Sequence, residues 1–282
     1  MSDSPHVDTL TLEDCLTDFL LSKQAAFRSP ATIAFYDRTL HAFLKWLGDS
    51  PLDTASVRLY FRELAESGRL NPGGLHAHAR ALRAWTRFLA AEGYQSPVTV
   101  PMPRVGEPHR PCPTREDVQR LLRACRTPRD RALVLTLADT GVRLSECAGL
   151  SWPDVDFTIG ALLVRRGKGG KVRAVYLGAA PRRALLRLRR VTSGKNTGSL
   201  FGLRPPGIRE VLRRLSRRAG VHVTPHMLRR YFATESLRGG LDVLSLQRLL
   251  GHSTLSMTAV YVRMSTDDLA AAHARSSPGD RL

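Results

Sequence analysis

The chain has 282 residues and a net charge of +18, from 43 Lys and Arg against 25 Asp and Glu. That length allows two domains, and the charge points to a polyanionic partner, for which nucleic acid is the usual one. No apolar run approaches the roughly 18 residues of a membrane span, the N-terminus is polar and acidic rather than leader-like, and the dispersed Cys15, Cys112, Cys125 and Cys147 fit neither a disulfide framework nor a structural zinc site, which leaves a reducing cytoplasm as the expected compartment.

The charge is unevenly distributed. Residues 1–100 hold 10 Lys/Arg and 11 Asp/Glu, whereas residues 101–282 hold 33 and 14. Only five of the cations are Lys, so the basicity is mostly guanidinium, which suits bidentate contacts to phosphate.

In chain order, residues 1–8 read as a loose end. Leu12, Leu16, Phe19 and Leu20 have helical spacing, and Ser29-Pro30 breaks the pattern before a second helix carrying Ile33, Tyr36, Leu40, Phe43, Leu44 and Leu47 on one face. A third helix is expected from about Thr54 to Ser67, a turn over Gly68–Gly74, and a fourth helix from Leu75 to Gly93. His76 and His78, two apart, face different ways on a helix and read as surface residues, not metal ligands. Arg58, Arg62, Arg69, Arg80, Arg83 and Arg87 gather in the second half of this domain, as either one basic face or ordinary solvated helix surface. Residues 95–113 contain six prolines in nineteen positions and read as an extended linker. The expected division is therefore a helical domain over 1–94, a linker over 95–113 and a second domain over 114–282.

The second domain opens with a capped helix at Thr114, followed by an apolar helix that Gly141 interrupts. Arg143 stands just after that break, with Glu146 three residues on to fix its fork. Three strand-like pieces follow, DVDF, ALLVRR and KVRAVYL, as a small antiparallel meander whose second turn carries Lys168 among glycines, beside Arg165, Arg166, Lys171 and Arg173. Two basic helices come next, the later with Ile208, Val211, Leu212 and Leu215 inward and its arginines outward. The fold class is mainly α with a small antiparallel β-meander.

Thr224 is a good N-cap and Pro225 suits the first helical position. A helix starting there puts His226 in its first turn and Arg229 on the same face, where unpaired N–H groups and the helix dipole favour an anion. A further helix from Asp242 is expected to stop at Gly251, leaving His252 just outside it. Ser253 caps a third helix carrying Tyr261, and a short helix from about Ser265 to Ala274 precedes the tail.

TGVRLSE, GKGGK, HMLRR and LLGH followed by TAVY together resemble the motifs of the tyrosine recombinases, also called phage integrases, and in particular the compact Xer-type members. The resemblance covers nearly the whole chain and departs at Arg230, where many members carry a second His. It implies that Arg143, Lys168, His226, Arg229 and His252 surround a phosphate and that Tyr261 is the nucleophile. It implies a core DNA-binding domain over 1–94 and a catalytic domain over 114–282 that clamp double-stranded DNA at a specific recombination site. It further implies a homo- or hetero-tetramer on two sites, a tail that docks on a neighbouring protomer, and a reaction needing neither cofactor nor metal. The absence of room before Thr11 for an arm-binding domain leans towards a simple Xer-like system. Two other readings stand beside it: relaxation of supercoils by the same chemistry, as a type IB topoisomerase does, and a non-cleaving accessory DNA-binding protein.

Overall fold

The structure, a computed structural model, describes residues 10–103, 111–165, 172–192 and 198–251. The chain divides into two compact units, Met1–His109 and Arg110–Leu282.

The first unit holds α1 (Leu12–Ala25), α2 (Pro30–Leu47), α3 (Thr54–Glu66) and α4 (Pro72–Ala91). Each start is fixed by a side chain that accepts an otherwise orphaned N–H: Thr11 from Asp14, Ser29 from Thr32, Asp53 from Ser56 and Asn71 from Gly74. Asn71 and Pro72 move the start of α4 to before the two glycines that the sequence reading assigned to the turn. The inward faces meet in one core around Phe19, Leu40, Phe43, Trp85 and Leu89, all at most 1 % exposed.

His76 and His78 are not surface residues. Both are half-buried. The Pro103 carbonyl accepts from His76 Nδ1 at 3.1 Å, and the His78 ring meets Phe35 edge-on. Burial, with Arg38 nearby, pushes the His78 pKa down. The helix-wheel argument separates the two rings correctly, but the end of the first unit folds back over one of them, and periodicity within a helix carries no information about that.

The second unit is α5 (Arg115–Arg123), α6 (Pro128–Thr140), α7 (Leu144–Ala148), a 3-10 turn at Trp152–Asp154, β1 (Val155–Asp156), β2 (Ala161–Val164), β3 (Arg173–Tyr176), α8 (Ala179–Thr192), α9 (Pro205–Ala219), α10 (Pro225–Arg238) and α11 (Val243–Leu250). The strands form one antiparallel sheet in the order β1-β2-β3. The Val164–Arg173 pair closes its register below the second turn. The expected class, mainly α with a small antiparallel meander, is the observed one.

Helix α6 is the axis of this unit. Ala132, Leu133, Val134 and Leu137 are fully buried, and the helix packs against both α8 and α10. Each of the three larger side chains contributes about 1.5–3 kcal/mol through burial. Gly141 ends α6 in the left-handed region (φ 59°), and a Cβ there would lie 2.4 Å from the Phe232 ring and 3.0 Å from Leu250. Backbone strain and overpacking act together at this position. Gly141→Ala is expected to destabilise the unit by about 2–4 kcal/mol, read from urea unfolding. A loss under ~0.5 kcal/mol would mean that the turn has another accessible geometry.

The outward arginines of α9 are only partly a free basic face. Arg214 Nη2 donates to the buried Asp130 carboxylate at 2.8 Å, and Arg218 Nη1 donates to the Ala124 carbonyl at 2.8 Å. Both tie α9 to the α5–α6 region.

Candidate functional site

The site is assembled where three helix ends meet. Helix α6 stops at Gly141, and two residues later Arg143 is the N-cap of the short α7. Glu146 lies one turn on, its side chain 1 % exposed. Its Oε2 accepts from the Arg143 backbone N–H at 2.7 Å, and its Oε1 accepts from Arg143 Nη1 at 2.9 Å. The geometry shows the Arg143–Glu146 pair that the three-residue spacing predicts.

Helix α10 begins as the sequence predicts, with Thr224 accepting from the Met227 N–H at 3.3 Å and Pro225 at the first position. His226 stands exposed in the first turn, and Arg229, one turn further, is 4 % exposed. The Arg229 guanidinium donates from Nη1 to the Gly141 carbonyl and from Nη2 to the Leu250 carbonyl at 2.7 Å. Helix α11 runs from its Asp242 cap to Leu250, and Gly251 closes it in the left-handed conformation, again as predicted. Arg143 Nη2 reaches the Gly251 carbonyl at 3.3 Å.

Sequence reasoning missed Arg173 as a member of this centre. From β3 its Nη1 and Nη2 donate to the two Glu146 oxygens at 2.9 and 2.8 Å, and its Nε donates to the Leu249 carbonyl at 2.7 Å. Burial alone would push the Glu146 carboxyl up. The hydrogen bonds from Arg173 and Arg143 outweigh burial and hold its pKa down at about 2. Arg165, grouped with Arg173 as a hairpin cation, is instead paired with Asp154. A strand-face argument would have singled out Arg173, because it shares a side of β3 with the buried Val175. A charge on an inward face needs a partner.

A groove of about 1240 Å³ runs along this centre. Arg143, His226 and Arg229 line it, together with Arg209, Arg213 and Arg217 of α9. Three of the six predicted site residues therefore share one cationic groove. The other three, Lys168, His252 and Tyr261, lie outside the described residues, as do the helices expected from Ser253 and Ser265.

Guanidiniums gathered beside a helix N-terminus in one groove make an arrangement suited to an anion such as a phosphate group. The profile of the phage integrase family matches residues 113–267, over half of the chain. The chain is 33 % identical over 269 residues to tyrosine recombinase XerA of Thermococcus kodakarensis, covering 90 % of this chain and 92 % of that protein. It is 34 % identical over 294 residues to tyrosine recombinase XerC of Oceanobacillus iheyensis, covering 94 % and 95 %. Among solved structures it is similar to XerA recombinase (27 % identity, TM-score 0.53, 95 % of this chain and 99 % of that one). A lambda integrase dimer bound to a COC′ core site shares the fold (19 % identity, TM-score 0.75, 88 % and 97 %). The chain belongs to the phage integrase family and is a tyrosine-type site-specific recombinase.

Proposed function

We propose that the chain cleaves and rejoins DNA strands at a specific site through Tyr261, with residues 1–94 as a helical core DNA-binding domain, 95–113 as linker and 114–282 as the catalytic domain. The observation that carries this reading is the convergence of Arg143 and Arg229 with His226 on one groove.

A phosphodiester repels nucleophiles by its charge, and a tyrosine hydroxyl with a pKa near 10 attacks poorly until deprotonated. Arg143, Arg229 and His252 hold the non-bridging oxygens and offset charge in the pentacoordinate transition state. His226 takes the Tyr261 proton as the phenolic oxygen bonds to phosphorus. The P–O5′ bond breaks, its electron pair stays on the 5′-oxygen, and Lys168 supplies the proton. The 3′-phosphotyrosyl link keeps the bond energy, and attack by a 5′-hydroxyl reverses the steps, so joining needs neither ATP nor metal.

The exposed Arg80, Arg83 and Arg87, spaced i, i+3, i+7 on α4, support a phosphate-facing side of the N-terminal unit. The similarity to a lambda integrase tetramer bound to a Holliday junction (18 % identity, TM-score 0.76) supports a tetramer on two sites, homomeric or with a second recombinase subunit. The similarity to XerA and XerC supports Xer-like resolution or integration as its task, with the cytoplasm as the compartment.

The test is selection of nicked duplexes from a randomised pool by covalent capture on the full chain. A denaturation-resistant adduct should form on a defined sequence, map to Tyr261 and vanish in Tyr261→Phe, whose DNA affinity should stay within about threefold. An adduct on any plasmid irrespective of sequence would favour a supercoil-relaxing enzyme, and tight binding without an adduct an accessory factor.

A further inference from the structure

We propose that Arg173 is a positioning residue for the phosphate-binding arginines, setting the Arg143 fork through Glu146 and the carbonyl end of α11; this rests on the site reading above. Three consecutive carbonyls at that helix end, Leu249, Leu250 and Gly251, are each taken by a different arginine, namely Arg173, Arg229 and Arg143. A helix C-terminus presents orphan carbonyls and partial negative charge, so it attracts cations. Here it aligns three of them.

Arg173 does not itself face a ligand. Its side chain is 12 % exposed, and Nε, Nη1 and Nη2 each make an internal hydrogen bond. What it fixes is the Glu146 carboxylate, whose two oxygens each accept from both arginines. With the Arg173 clamp in place the carboxylate plane is set, and Arg143, with a side chain 26 % exposed, keeps donors at the groove in one orientation. Without the clamp Glu146 keeps only its bonds to Arg143 itself, and no other arginine among the described residues holds the pair in place. Gly251 fits the same design, because a Cβ there would lie 3.2 Å from Arg173 Cδ and Nε. The glycine thus gives the guanidinium its room as well as closing α11.

The experiment measures single-turnover cleavage on the duplex recovered by covalent capture, with the full chain and saturating protein. The variants are Arg173→Gln, Arg173→Lys and Arg143→Ala. Arg173→Gln is expected to slow cleavage about 10–100-fold, the scale of a small misplacement of a catalytic group, with DNA affinity within about threefold. Arg173→Lys restores charge without the fork and should recover only part of the rate. The second substrate carries an uncharged methylphosphonate at the scissile linkage. There a fault in charge stabilisation loses its consequence, and native and Arg173→Gln chains should cleave within about threefold of each other. Equal slowing on both linkages, or no slowing on the phosphodiester, overturns the proposal. Arg143→Ala separates the two levels: if it is slowed on phosphodiester while Arg173→Gln is not, the positioning role fails alone. If Arg143→Ala cleaves at the native rate, the site reading fails and takes the positioning role with it.

Discussion

Arg229→Ala is expected to abolish strand cleavage and to cost the Arg110–Leu282 unit about 3–5 kcal/mol, the largest combined effect among the described residues. The two losses have separate origins. The guanidinium spans the Gly141 and Leu250 carbonyls inside the protein, and removing it leaves both without that donor. Each buried acceptor so exposed costs about 1–3 kcal/mol, and the emptied volume adds a packing loss. The chemical loss comes from the groove side, where Arg229 is a lining residue. One preorganised donor to a developing oxyanion is worth about 10²–10³ in rate, and on the function proposed above the Arg229 charge beside a dianionic transition state should contribute at least that. Arg229→Lys divides the two contributions. It keeps the charge and can serve one carbonyl, so it should fold with a smaller deficit, yet it cannot span both carbonyls and reach a phosphate. Adduct formation by Arg229→Lys is expected to fall by ~10²–10³ at unchanged DNA affinity. Cleavage within threefold of native would make Arg229 purely structural.

The parts of this centre legible from sequence are those governed by local rules. Thr224-Pro225 announces a helix start, so His226 and Arg229 can be placed on its first turns. Gly141 and Gly251 announce helix ends, and both adopt the left-handed conformation that makes glycine favourable there. The Arg143–Glu146 pair follows from a separation of one turn. Arg173 escaped because its partners, Glu146 and Leu249, are 27 and 76 residues away. Lys168 and Lys171 stand shortly before it in sequence, so a local reading makes it one more surface cation. Only the period-2 pattern of β3 marks it as inward. The alignment of three carbonyls with three arginines has no local signature at all. It depends on how Leu246 and Leu250 seat α11 against Ala233 of α10, and tertiary packing sets that register.

Glu146→Gln is expected to destabilise the second unit by about 3–5 kcal/mol at pH 7, because breaking a buried pair by removing one partner leaves the other charge uncompensated. Here the other partners are two guanidiniums, and the amide can accept with one atom only. The loss carries a pH signature that an ordinary packing defect lacks. The native carboxyl titrates at about 2 rather than near its ordinary 4.5. A depressed folded-state pKa contributes stability that is fully present above about 4.5 and is lost as pH falls towards 2, a contribution of roughly 3 kcal/mol. At pH 3 about 2 kcal/mol of it should already be gone. Glutamine has nothing to titrate, so native and Glu146→Gln stabilities should converge between pH 4.5 and 2, other carboxylates cancelling in the difference. Urea unfolding followed by hydrogen exchange at the α6 amides reports this unit and gives that difference directly. A gap that stays constant from pH 7 to pH 3 would mean that Glu146 is held by packing and that its charge does not organise the arginines. Convergence would instead make the carboxylate the electrostatic anchor of the site, the same charge that keeps Arg143 in register with the groove.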